Sequence, residues 1–353
     1  MKIGIYNPYF DSLGGGERYC LTLASHWSKK YEVEIFWDDK EILKKAENRF
    51  KIDLSRVKVV QNIFRGKNIL KKAQKTRTYD LIFVLSDGSI PLSFAKYNIL
   101  HFQSPFPRAM GKTAINKIKL GRYQAIVCNS DFTKQYIDRE FGVDTQVIYP
   151  PVAVEQFSPA KKEKIILTVG RFTAYSINKK QREMVQLFKR ITKSLPLWEL
   201  RLVGGLLEQD RSYFEKVVKL TEGIPAYVFP NDPFGQLKDH YGRATIYWHA
   251  AGFSEDELKN PAAMEHFGIT TVEAMAAGCI PIVYDGGGQR EIVEDGKSGF
   301  LWRTPTELIE KTMNVIEDEE LRESLRRSAT MRAKDFDEKK FCSAFDALLA
   351  TIT

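Results

Sequence analysis

The chain has 353 residues, 43% hydrophobic, 28% charged and 12% aromatic, ample material for packed cores; a disordered, collagen-like or low-complexity polymer is excluded. At about 100 to 200 residues per domain, the length favours two globular domains. Fifty-three Lys and Arg against 45 Asp and Glu leave a net charge of +8, so the surface attracts anions without specifying which.

Short β-branched and aromatic runs alternate with stretches of helical periodicity, the order of parallel strands joined by crossover helices in an α/β fold. Strands are expected at Lys2–Tyr6, Glu32–Trp37, Val57–Val60, Asp80–Leu85, Asn98–His101, Ala125–Asn129 and Gln146–Tyr149. Prolines at 150, 151 and 159 and the charged run 161–164 then read as an interdomain connection. A second series follows at Lys164–Val169, Glu199–Val203, Ala226–Phe229, Thr245–Trp248 and Ile280–Tyr284, with terminal helices from about Asp318. The expected domains are 1–155 and 160–335, with a last helix over 336–353. Neither a signal-like apolar segment nor an uncharged apolar run of roughly 18 residues is visible, so the expected location is the cytoplasm, at most against the inner face of the membrane. Cys20, Cys128, Cys279 and Cys342 are far apart and read as reduced thiols; no zinc-type spacing of ligands accompanies them, and no metal is expected.

The densest site signal runs from Glu265 to Phe300. Gly268 leads through Ile269 to Thr270 and a helix start, whose free N–H groups suit a phosphate. Glu265 and Glu273 bracket this entry and can accept from sugar hydroxyls; Glu273 also fits a capping box, reaching back to the Thr270 amide. Arg171 and Lys179 follow the first strand of the second series, where open α/β sheets bind ligands, and form a fork and a point charge for a diphosphate. A solvated basic loop that includes Lys180 and Arg182 is the alternative.

Gly14-Gly15-Gly16 after the first strand permits close approach of a ligand to the backbone or makes a plain tight turn. A dinucleotide fingerprint needs a third glycine where Tyr19 stands, although Asp38-Asp39 occupies a ribose-binding distance. His101 and His249 end strands and are either site residues or satisfied core histidines. Lys67, Lys71 and Lys75 beside Ile69 and Leu70, and Arg108, Lys112, Lys117, Lys119 and Arg122 around Ile115, Ile118 and Leu120, form basic amphipathic stretches. They suit an anionic membrane face or simply solvated helix surface.

These segments together resemble a known family. Glu265 and Glu273 make an E-x7-E motif, and FGITTVEAMAAGCIPIV, GGGQREIV and DGKSGF follow it. With GGGER, CNSDFT, YPPV, VGRF, NKKQ and WHAAGF in chain order, nearly the whole sequence resembles the retaining GT-B glycosyltransferases of family four. The resemblance implies two Rossmann-like domains facing across a cleft, the sugar nucleotide held mainly by the second domain, the acceptor by the first, and C-terminal helices that cross back. It implies a diphosphate pair in Arg171 and Lys179, with Lys180 as an alternative to Lys179. It also implies a ribose carboxylate in Glu273, sugar contact by Glu265, amides at Gly268, Ile269 and Thr270 facing the phosphates or sugar, and Gly15 and Gly16 for closure over the donor. His101 resembles the histidine near the transferred sugar, though Phe102-Gln103 after it departs from the pattern.

The function expected from the resemblance is metal-independent retaining transfer of a hexose to a glycan or lipid-linked acceptor, with catalysis by Arg171, Lys179, Glu265 and His101. The donor, GDP-mannose or a UDP-hexose, is a substrate and no other cofactor is implied. Peripheral contact with an anionic membrane is an expected partner interaction, specific nucleic acid is not. A sugar-nucleotide epimerase of the same fold and an NAD-linked oxidoreductase are the rival activities.

Overall fold

The structure is a computed structural model that describes every residue except Lys67, Met110 and Ser176. Lys67, one of the basic residues singled out above, thus lies outside the described residues. The chain divides into two compact units, one of residues 1–151 with 338–353 and one of residues 152–337.

In the first unit seven strands, β1 (Lys2–Tyr6), β2 (Glu32–Phe36), β3 (Val57–Val60), β4 (Leu81–Leu85), β5 (Tyr97–Phe102), β6 (Ala125–Cys128) and β7 (Gln146–Val147), form one sheet. The order is 3-2-1-4-5-6-7 and every pairing is parallel. Strand β4, LIFVL, is buried at all five positions, as a central parallel strand covered on both faces must be. Helix Gly15–Trp27 begins at Gly14, whose amide donates to Glu17 Oε2 at 2.7 Å. The same oxygen accepts from Ser12 Oγ at 2.6 Å, and Asn7 Nδ2 donates to Oε1 at 3.1 Å. The helix start after β1 is therefore filled by the protein's own carboxylate, which disfavours a dinucleotide pyrophosphate there.

Helix Glu338–Ile352 belongs to this unit. It inserts Phe341, Phe345, Leu348 and Leu349 into the core that contains Tyr19, Trp27 and Phe83. At roughly 1.5 to 3 kcal/mol for each large apolar side chain buried, these four residues hold the helix far more strongly than its polar contacts do. Arg18 Nη2 to Glu338 Oε1 at 3.1 Å and His26 Nε2 to Asp346 Oδ2 at 2.9 Å fix its register.

The second unit has a six-stranded sheet of β8 (Glu163–Val169), β9 (Glu199–Gly204), β10 (Ala226–Pro230), β11 (Ala244–His249), β12 (Ile280–Tyr284) and β13 (Phe300–Trp302). The order 10-9-8-11-12-13 is all parallel. The strand order reverses between β8 and β11, the switch point at which open sheets bind ligands. Strand β13 was not among the expected elements: three residues show no periodicity, and it exists because Phe300, Leu301 and Trp302 pair with the edge of β12.

Candidate active site

Two loops leave the C-terminal ends of the strands at the switch point of the second unit. The first follows β8 and starts at Gly170. A Cβ at Gly170 would lie 2.6 Å from Lys179 Cγ, and one at Gly204, the last residue of β9, would lie 1.9 Å from the Gly170 carbonyl oxygen. The two glycines let the strand ends and the lysine stem pack together. Gln181 Nε2 donates to the Arg171 carbonyl at 3.0 Å, and Tyr213 Oη donates to Gln181 Oε1 at 2.9 Å, which ties the loop to the following helices.

The second loop follows β11 and carries Glu265. Its backbone is held by the glycine run 286–288: the Gly288 amide donates to the Glu265 carbonyl at 2.8 Å, and a Cβ at Gly287 would sit 2.2 Å from that same oxygen. The loop ends at Gly268, with φ of +123°, and helix Ile269–Ala276 begins. Only glycine adopts that backbone conformation at low cost.

The side chains converge at this helix start. Lys179 Nζ donates to Glu265 Oε2 at 2.5 Å, and His249 Nε2 lies 2.8 Å from the same oxygen. The ionised Glu265 oxygen can only accept, so the imidazole carries a proton on Nε2, and Gln289 Nε2 lies 3.5 Å from Nδ1 on the other side of the ring. Burial pushes the His249 imidazole down, and although Glu265 opposes this the net direction stays downward. Burial works to raise the Glu265 carboxyl, but the Lys179 charge and the His249 hydrogen bond outweigh it and hold it well below the usual range. Glu265 is thus an ionised carboxylate, 8% exposed, whose Oε1 has no partner among the described residues.

One turn further, Tyr241 Oη donates to Glu273 Oε2 at 3.0 Å and Tyr247 Oη to Thr270 Oγ1 at 2.8 Å. The capping box fails on geometry. The helix is capped at Gly268, so Thr270 is already its second residue and Glu273 is turned onto Tyr241. The amides of Ile269 and Thr270 have no hydrogen-bond partner among the described residues, an open pair of donors at the positive end of the helix.

Lys179 and Lys180 go to different carboxylates. Lys180, at φ of +57°, pairs with Glu255 at 2.7 Å, so Lys179 is the ammonium beside Glu265. Arg171 is exposed and has no carboxylate partner among the described residues. A cavity of about 250 Å³ lined by Tyr175, Asn178, Arg182, Asp210, Tyr213 and Lys216 flanks the same loop, and none of Arg171, Lys179, Glu265 and Glu273 lines it.

The structure thus brings Lys179, Glu265, Gly268, Ile269, Thr270 and Glu273 to one helix start in the second unit, and Arg171 follows β8 in the same unit without a side-chain hydrogen bond or ion pair to them among the described residues. Gly15, Gly16 and His101 lie in the first. Gly16 sits beneath Gln103, where a Cβ would meet Oε1 at 2.1 Å. His101 is fully buried in the middle of the core, its ring stacked on Tyr19 with centroids 4.0 Å apart. Burial pushes it down to about 3, with the Val127 backbone opposing, and neither ring nitrogen has a hydrogen-bond partner in good geometry among the described residues. As placed, it is a core histidine and presents no nitrogen to a substrate. Sequence reasoning gave no role to Gln289, although it lies in the quoted GGGQREIV segment, nor to Tyr241 and Tyr247, which no spacing marks because they act from other elements.

Residues 153–332 match the family described as glycosyl transferases group 1, and residues 13–156 match glycosyltransferase family 4. A human "GDP-Man:Man(3)GlcNAc(2)-PP-Dol alpha-1,2-mannosyltransferase" is 30% identical, over 97% of this chain and 85% of its own. The protein of that name from Dictyostelium discoideum is 27% identical, over 98% and 83%. Among solved structures, a glycosyltransferase from Rickettsia africae superposes with a TM-score of 0.78 at 16% identity, covering 99% of this chain and 98% of its own. Anabaena HepE in complex with UDP and glucose gives 0.73 at 17% identity, covering 99% and 100%. These likenesses show the GT-B fold, and the family matches span both units. The chain is a glycosyltransferase of family four (group 1), an enzyme that transfers sugar from a nucleotide sugar.

Proposed function

We propose that the protein transfers a hexose, mannose from GDP-mannose in the favoured reading, to a glycan or lipid-linked acceptor with retention of anomeric configuration and without a metal ion. The observation that carries it is the convergence of Lys179, Glu265, Glu273 and the open amides of Ile269 and Thr270 on one helix start. Such a start offers positive charge and N–H donors to a diphosphate and carboxylates to hydroxyls on either side of it. Glu273, oriented by Tyr241, accepts from the ribose, and Oε1 of Glu265 accepts from the sugar.

In this reading Arg171 and Lys179 stabilise negative charge that grows on the departing diphosphate, a contribution larger in the transition state than in the ground state, and therefore one that raises turnover. Glu265 positions the ammonium through its 2.5 Å contact, and His249 holds Glu265. The diphosphate oxygen takes the acceptor proton on the face from which it leaves, so no protein nucleophile takes part. His101 has no part in these steps. The mannose donor is supported by the names of the mannosyltransferase relatives, which span nearly all of this chain, and the lipid-linked acceptor by the "PP-Dol" in those names. A lipid-linked acceptor would be met at a membrane surface, the cytoplasmic face in this reading.

Thermal shift with GDP-mannose, UDP-glucose and NAD distinguishes the donors, since a ligand bound only by the folded state raises the melting temperature. GDP-mannose is expected to give the largest rise and NAD none. Proton NMR of the product formed on a synthetic lipid-linked oligosaccharide is expected to show the α anomer. A β product, or consumption of the donor without any acceptor, overturns the reading.

A further inference from the structure

The charged run 161–164 reads as a solvated connection, but its side chains do not all face water. Lys161 and Lys164 are exposed, whereas Glu163 accepts from Arg243 Nε and Nη2, each at 2.8 Å, and Lys162 turns inward. Lys162 Nζ donates to the carbonyls of Ala277 at 2.7 Å, Ala244 at 2.8 Å and Tyr241 at 3.3 Å, and no carboxylate pairs with it among the described residues. Those carbonyls lie at the ends of two helices, Phe234–Arg243 and Ile269–Ala276. An ammonium suits such a place, because a helix end leaves carbonyls unpaired and its dipole is negative there. The Cys279 thiol completes the cluster, donating to the Tyr241 and Ala244 carbonyls at 3.1 and 3.4 Å.

The segment that carries Lys162 is fitted to both helix ends. A Cβ on Gly242 would lie 3.2 Å from the Ser158 carbonyl oxygen, and one on Gly278 would lie 3.1 Å from Pro159 Cγ. The Ala160 amide donates to the Gly242 carbonyl at 3.1 Å, and the Phe157 ring stands edge-on to Tyr241 with centroids 5.4 Å apart. Residues 157–162 thus lie across the two ends, and Lys162 ties them together.

Both ends belong to the side of the site where Glu273 lies. Tyr241 Oη donates to Glu273 Oε2 at 3.0 Å, and the Ala277 amide donates to the Glu273 carbonyl at 3.0 Å. One ammonium therefore fixes the backbone of the tyrosine and, through Ala277, the backbone of the glutamate that the tyrosine addresses. Without it, carbonyls of like partial charge face one another unpaired, and the two helix ends move apart. A hydroxyl donor 3.0 Å from its acceptor is already at the long end for such a bond, so a small separation breaks it.

We propose that Lys162 is a positioning residue for ribose recognition: by holding the Tyr241 and Ala277 carbonyls on one ammonium, it sets the Tyr241 hydroxyl against Glu273 and keeps that carboxylate where a ribose hydroxyl donates to it. The inference rests on the reading of Glu273 as the ribose carboxylate.

The test is isothermal titration of the full chain with GDP and with 2′,3′-dideoxy-GDP, which lacks the hydroxyls that Glu273 accepts from; the corresponding UDP pair is used if the thermal shift selects UDP-glucose. The wild type is expected to prefer GDP by about tenfold or more, the scale of a hydrogen bond to a charged group. Lys162→Met keeps the aliphatic stem and is expected to cut that preference to less than about threefold, weakening GDP while the dideoxy nucleotide stays within about twofold of its wild-type affinity. A lysine with only a structural role would lower the melting temperature and weaken both nucleotides alike. Equal weakening therefore overturns the proposal, as does a lower melting temperature with the ribose preference intact. If Lys162→Met does not fold, Gly242→Ala decides, since it presses on Ser158 and Ala160 from a helical position. There the preference is expected to fall about twofold to threefold, and an unchanged preference overturns the proposal. Equal affinity of the wild type for both nucleotides defeats the ribose reading of Glu273 and this inference with it. A wild-type preference that survives loss of the ammonium defeats the positioning role alone.

Discussion

Lys179 Nζ lies 2.5 Å from Oε2 of Glu265, eighty-six positions along the chain, and His249 Nε2 reaches the same oxygen at 2.8 Å. One buried carboxylate oxygen thus anchors a cation and an imidazole that arrive from two different strand ends, and most of the site's behaviour follows from it.

Removal of the ammonium should be far worse than removal of its neighbour. Lys179→Ala deletes a preorganised positive charge and leaves a buried carboxylate unpaired, so turnover is expected to fall about a hundredfold or more. Lys180→Ala breaks only the pair with Glu255 and is expected to change turnover less than about threefold. Steady-state kinetics with saturating donor check both, and equal losses would contradict the assignment.

The Glu265 pair makes the second unit sensitive to acid. The carboxyl is held below its ordinary value of 4.5 when folded, so ionised Glu265 adds stability above that pH. The stability is lost as pH falls from 4.5 toward the depressed folded value, because the unfolded chain takes up the proton first. The melting temperature of Glu265→Gln should therefore approach that of the wild type as pH drops from 7 to below 4. A constant difference across that range would show that the carboxylate is not depressed.

Tyr241→Phe removes the hydroxyl that donates to Glu273 at 3.0 Å with no change of shape. A hydrogen bond to a buried charge contributes about 1.5 to 3 kcal/mol, so a stability loss on that scale is expected. The KM for the donor should rise several-fold with kcat little changed, since ribose binding is common to ground and transition states. Isothermal titration with the nucleoside diphosphate measures the same loss directly.

At Gly268 the backbone has φ of +123°, and a Cβ would meet Gln289 Nε2 at 2.5 Å and Ile292 Cδ1 at 3.2 Å. Gly268→Ala must both strain the turn and push Gln289 off His249, at a cost of roughly 1 to 3 kcal/mol. Denaturant unfolding is expected to show that loss together with weaker donor binding.

His101 gives the first unit a separate pH response. Its imidazole is down to about 3 from 6.5, so it contributes stability above 6.5 that is lost as pH falls through that interval, while the unfolded chain binds the proton. His101→Phe keeps the ring stacked on Tyr19 and removes the titration, so its melting temperature should decline less between pH 6.5 and 3 than that of the wild type. Transfer activity at pH 7.5 should fall by less than about tenfold, since the ring as placed offers no nitrogen to a substrate.

The α/β class and the strands other than β13 were legible in the sequence, because apolar periodicity and glycine position are local properties of the chain, whereas the E-x7-E carboxylates were marked by the resemblance. Partners were not legible. Whether Lys179 or Lys180 enters the site depends on a left-handed backbone at Lys180, which sends its side chain to Glu255. The placement of Glu273 against Tyr241, and not on the Thr270 amide, turned on where the helix is capped, at Gly268 rather than among the threonines. Burial of His101 results from β4 and β6 flanking β5 and Tyr19 covering its ring, and Gln289 reaches His249 across forty residues. Local pattern determines which residues form strands, turns and helix starts; which charge meets which, and which imidazole is shut from water, is decided only when distant segments pack.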